Sequence, residues 1–159
     1  MAPLHPAFVH FPIALVAFSF ITDLLGRLFR KPSLRAAGFW CLTGALIGGA
    51  IAAATGYYDF TRDTLGETAR YADFHQDVGY ILVGAVFVLT VWRWLAYARR
   101  DLSPGIPYLI AALLVLGLIL FQGWYGGEMV YSQGAGVAAA GKGTEPAASG
   151  KQRLDKVTR

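Results

Sequence analysis

Four apolar runs of about twenty residues each, two of them opened by histidines, constrain this chain more than any other feature. The runs are about Phe8–Phe29, Ala36–Tyr58, Val78–Ala98 and Ile106–Tyr125. A helix needs ~20 mostly apolar residues to cross the hydrocarbon core of a bilayer, so the chain carries four candidate spans. Of 159 residues, 55% are hydrophobic and 15% charged, where a soluble domain has about 25% charged. The pattern predicts an all-α integral membrane four-helix bundle over residues 1–131. Residues 132–159 lose apolar periodicity, and from about Ala138 they read as a disordered tail. Met1–Ala7 has no Lys or Arg, so the first run reads as a retained span, not a secretory signal.

The net charge of +4 does not point to nucleic acid, because the basic residues sit where topology uses them. Arg27, Arg30, Lys31 and Arg35 surround the first loop, and Arg93, Arg99 and Arg100 the third. The second loop is acidic, with Asp59, Asp63, Glu67, Asp73 and Asp77 against Arg62 and Arg70. The positive-inside rule then puts loops one and three in the cytoplasm. Both termini, the tail and the acidic loop face outward, which in a bacterial inner membrane is the periplasm. A short interfacial helix around Thr64–Phe74 is expected in that loop. Pro12 is expected in the first turn of helix one. Gln122 to Gly127 reads as an aromatic belt and helix stop. Gly44, Gly48, Gly49 and Gly56 make helix two the closely packed one.

Spans one and three start on the same side, so His5, His10 and His75 are expected at one depth. His10 has Ala14 and Ala17 on its face, and His75 has Gly79. Such gaps admit a flat guest, and two imidazoles on parallel helices can supply both axial ligands of a b-type haem. His10 and His75 are the expected ligands. His5, Asp59 and Tyr131 are expected to support them, with Asp59 orienting an imidazole. Copper or zinc on the same histidines is an alternative. So is a purely structural role, with histidines at the headgroups and small residues serving helix packing.

Asp23 inside the first span is an intramembrane carboxylate, and Arg27 or Arg93 can pair with it. Trp92 and Trp94 read as an interface anchor. Cys41 has no second cysteine and reads as packing.

Leu4-His5-Pro6-Ala7-Phe8-Val9-His10-Phe11-Pro12-Ile13-Ala14-Leu15 resembles the opening of a bacterial family of small four-helix inner-membrane proteins of unknown function, whose signature is HPxxVHFPIAL. Gly56 to Phe60, His75 and the stretch Gly126–Val137 also resemble its later motifs, so the likeness covers about Leu4–Val137. The chain departs from the pattern at Gln133, where the family carries a histidine. The resemblance implies a membrane module that works beside cytochrome c-like or other redox domains. On this reading the protein is an electron carrier more than a catalyst. Its partners would be the bilayer, a redox protein and a second copy of the chain. An accessory subunit of a larger membrane complex is the non-redox alternative.

Overall fold

The computed structural model describes residues 4–62, 69–99 and 104–132. Each apolar run becomes one helix: α1 (His5–Leu28), α2 (Pro32–Arg62), α3 (Ala69–Ala98) and α4 (Ile106–Tyr131). The shortest has 24 residues, about 36 Å at 1.5 Å per residue, and exceeds a hydrocarbon core of about 30 Å. Only 17–28% of the most apolar stretch of each helix is buried. Phe11, Trp40, Ile81 and Leu114 all point outward. Helices that are apolar all round are stable only when lipid covers what the bundle does not. The chain is therefore a multi-pass α-helical membrane protein.

Packing runs α1 to α2, α2 to α3, α3 to α4 and α4 back to α1. The four helices thus form a square with α1 and α3 on one diagonal. Val16, Leu42, Ala45, Val86, Leu89 and Ala112 fill its centre. The α1–α2 contact is the most extensive, as the small residues of α2 require: a Cβ on Gly48 would lie 3.3 Å from Phe11 and Pro12.

Four expectations change. The helices extend further at the histidine end than their apolar runs do. Residues 69–74 are the first turns of α3 and not a separate interfacial helix; residues 64–68 lie outside the described residues. Helix α4 passes through Gly126-Gly127 to Tyr131, so the glycines are not a stop. Pro12 lies inside α1, with Pro6 in its first turn. The proposed tail beyond Ser132, including Gln133, is outside the described residues.

At the other end, hereafter the basic end, α1 closes on itself before α2 begins. The Phe29 N–H donates to Leu25 O and the Lys31 N–H to Gly26 O. Arg30 takes φ 54°, the left-handed conformation that this closure needs. Pro32 then opens α2.

The inner faces of this end carry one buried charge pair. Asp23 is fully buried and Arg93 is 3% exposed. Arg93 Nη2 donates to Asp23 Oδ1 at 2.7 Å and to the Arg35 carbonyl at 3.0 Å. Its guanidinium also lies over the ring of Tyr108, 5.4 Å from the centroid. A Cβ on Gly38 would overlap the Asp23 carboxylate, so glycine is needed there. Arg27, the other candidate partner, donates to the Pro104 carbonyl instead. The pair spans the α1–α3 diagonal, with α2 and α4 supplying the carbonyl and the ring.

Two outcomes are expected on thermal denaturation in detergent. Arg93→Met alone strands a buried carboxylate and costs about 3–5 kcal/mol, whereas Asp23→Leu with Arg93→Met costs much less. Arg30→Gly removes a left-handed side chain and raises stability by up to about 1 kcal/mol.

Candidate functional site

The histidine end is built from α1 and α3 outward. His5 is the first residue of α1, and its backbone N–H donates to Asp59 Oδ2 at 2.7 Å. A carboxylate at a helix N-terminus satisfies an otherwise unpaired donor and meets the positive end of the dipole. Asp59 thus holds the start of α1 and does not orient an imidazole. That task falls to the backbone of α2: His5 Nδ1 lies 2.7 Å from the Ala52 carbonyl. A carbonyl only accepts, so Nδ1 carries the proton and, in the neutral ring, Nε2 carries the free lone pair.

His75 comes from the second turn of α3, across the diagonal. Its ring centroid is 6.0 Å from that of His5, with the planes at 89°. Tyr125 of α4 lies nearly parallel to it at 6.2 Å. Gln122, one turn earlier on α4, donates its Nε2–H to the His75 carbonyl. His75 Nδ1 and Gln122 Oε1 are buried with no hydrogen-bond partner among the described residues. A buried polar atom without a partner costs roughly 1–3 kcal/mol, and a bound water or ion is one way to satisfy it.

Two glycines seat the rings. A Cβ on Gly56 would come within 2.9 Å of the His5 ring, and one on Gly126 within 2.9 Å of His75. These glycines therefore let α2 and α4 close onto the imidazoles. This is why Gly126 remains inside α4: its missing side chain is the space His75 occupies.

The structure brings His5, His75 and Asp59 together and leaves three expected residues elsewhere. His10 is exposed on the outer face of α1, and its Nδ1 bonds the Pro6 carbonyl at 3.1 Å. Positions five apart on a helix point about 140° apart, so His5 and His10 cannot both face inward. Ala14 is also exposed, and Tyr131 is 90% exposed. Gly79 leaves a gap that Gln122 fills, at 3.5 Å from where its Cβ would be. Gln122, Tyr125, Gly126 and the Ala52 carbonyl were not singled out by sequence as parts of this site. Among the described residues no three His, Cys, Asp or Glu side chains converge on a metal-sized point.

Residues 1–139 match the family described as a predicted membrane protein, DUF2231. The chain belongs to that family. No curated protein and no solved structure matches it.

The two glycines at the end of α4 are expected to answer oppositely to alanine. Gly126→Ala drives a methyl into His75 and costs about 1–3 kcal/mol. Gly127→Ala meets nothing within 4 Å and gains up to about 1 kcal/mol of helix propensity. Melting curves of the two variants in detergent give the comparison.

Proposed function

We propose that this protein binds one copper(I) ion between His5 and His75 and releases it, by ligand exchange, to a partner on the same side of the membrane. The observation that carries the reading is the meeting of two imidazoles across the bundle, one with a fixed tautomer and one with an orphaned nitrogen. Donating Nδ1–H to a backbone carbonyl is what metal-bound histidines do, because it aims the other nitrogen and raises its basicity. Two imidazole nitrogens on one ion, each about 2 Å away, place the ring centroids roughly 6 Å apart. The observed 6.0 Å fits, and perpendicular planes are no obstacle because each ring can turn about its own metal–nitrogen bond.

The donor set selects among metals. Imidazole suits copper, zinc, iron and nickel. A structural zinc site takes four ligands, and fewer than three candidate side chains converge here. Copper(I) accepts two nitrogens in line. Copper(II) prefers a tetragonal set, so a two-nitrogen site favours carrying the ion over cycling its charge. The exchange step swaps one nitrogen donor for a ligand of the partner, with no change in oxidation state.

Haem b with electron transfer is the rival reading, since two axial imidazoles need the same spacing. Against it stand Gly56 and Gly126: α2 and α4 lie on the rings where a macrocycle would extend. With the basic turns in the cytoplasm, the site and both termini face the periplasm of a bacterial inner membrane.

The test is copper(I) titration of the full-length protein in detergent, under ascorbate, against a chromogenic copper(I) chelator. Wild type and His10→Ala are expected to bind one equivalent alike. His5→Ala and His75→Ala should each lose at least about tenfold in affinity. Equal binding by wild type and the His5→Ala/His75→Ala variant would overturn the proposal. Soret and α bands in the dithionite-reduced protein, lost on His5→Ala, would replace it with the haem reading.

A further inference from the structure

We infer that Gln122 of α4 orients His75: its amide oxygen accepts the His75 Nδ1–H through one bridging water, which leaves Nε2 as the nitrogen for the metal. This role rests on the two-imidazole copper reading above and supplies what that reading needs at the second ring. A metal-bound imidazole gives its other N–H to an acceptor, which fixes the tautomer. At His5 the acceptor is the Ala52 carbonyl. At His75 the matching acceptor comes from the side chain that already holds the backbone of the same residue.

The orientation of the Gln122 amide follows from the bond it makes. Nε2 donates to the His75 carbonyl, and the flipped amide would set oxygen against oxygen. Nε2 also lies 3.5 Å from where a Gly79 Cβ would be, so the amide rests against the backbone of α3. Its oxygen is the atom left over, buried and without a partner among the described residues, and the same holds for His75 Nδ1. An amide oxygen only accepts, so it needs a donor, and Nδ1–H is the donor form of the atom orphaned on the residue it already bonds. The two make no direct hydrogen bond, so a water joins them, accepting from the ring and donating to the amide. In such a chain each bond polarises the next. The ring is also held by its neighbours on α4. Tyr125 lies nearly parallel to it at 6.2 Å, and a Cβ on Gly126 would come within 2.9 Å of its Cε1. Tyr125 and Gly126 thus set the plane of the ring, and Gln122 selects which nitrogen carries the proton.

Nitrogen NMR of isotope-labelled histidines tests this in the full-length, metal-free protein in detergent, at about pH 8, where a free imidazole is neutral. His75, assigned from the signals lost in His75→Ala, should carry its proton on Nδ1, with a cross-peak from that proton to water. Gln122→Leu should shift the proton toward Nε2. Gln122→Glu, which keeps an acceptor at the same reach, should hold it on Nδ1. Gln76→Leu, which removes the neighbouring Gln76–Tyr80 hydrogen bond, should change nothing. Copper(I) affinity should fall about tenfold in Gln122→Leu, the usual cost of losing such a partner, and recover in Gln122→Glu. A wild-type His75 protonated on Nε2 overturns the inference. So does a Gln122→Leu protein that keeps Nδ1 protonated, or an Nδ1 proton with no contact to water. A wild type that holds the proton on Nδ1 yet binds no copper(I) overturns the copper reading and leaves Gln122 as the anchor of the tautomer.

Discussion

Burying one carboxylate and one guanidinium inside the thickness of a bilayer is the constraint on which the rest of this bundle rests. Neither group is tolerated there alone. Asp23 on α1 must therefore find Arg93 on α3, and that requirement pulls together two helices that are not otherwise neighbours in the square. Between lipid and protein there is little hydrophobic preference, so apolar side chains hold membrane helices together by fit and do not strongly fix their register. A charge pair does fix it. Once Asp23 and Arg93 meet, α2 must pass close enough to need glycine at position 38, and it offers the Arg35 carbonyl to the guanidinium. Ser19 then reaches the Gly38 carbonyl at 2.8 Å, and Tyr108 of α4 comes to lie beneath Arg93. One ion pair thereby engages all four helices.

The same register brings the histidines together. His5 and Asp23 are 18 residues apart, and so are His75 and Arg93. Eighteen residues make five helical turns, so each residue of a pair shares its partner's face, about 27 Å along the axis. Two co-directional helices paired at Asp23–Arg93 therefore carry His5 and His75 on the same facing sides, near the opposite edge of the hydrocarbon core. His10 is 13 residues from Asp23, which turns it well away from that face. The choice between His5 and His10 was therefore present in the sequence, in the spacing to a carboxylate that could only point inward.

The four spans, the end at which the histidines gather and the pairing of Asp23 with a basic partner could be read from residue types alone. Each follows from the cost of exposing polar groups to lipid, which leaves little freedom. Small residues one turn from an imidazole do not identify the inward histidine, because Ala14 and Gly79 have other reasons to be small: Ala14 is exposed and Gly79 faces Gln122. The seats at Gly56 and Gly126 were harder to see. Glycine in a membrane helix signals close approach but not what approaches, and near a helix end it also resembles a terminator. Gln122 and Tyr125 looked like interface residues because α4 has no polar side that marks them as inward. Only the placement of α4 against α3 gives them a role.

The two polar contacts across the diagonal differ in one respect that bears on function. At the basic end an anion meets a cation and each charge is compensated by the other, while Asp23 Oδ2 has no hydrogen-bond partner among the described residues. At the histidine end two imidazoles meet. His5 donates its Nδ1–H to the Ala52 carbonyl. His75 Nδ1 is buried with no hydrogen-bond partner among the described residues. On the copper(I) reading proposed above, the ion would lie between the two rings. The ring contact lies five turns from the ion pair on the same faces of α1 and α3, so helices and not loops hold it. On that reading, such preorganisation would help a two-ligand site retain an ion.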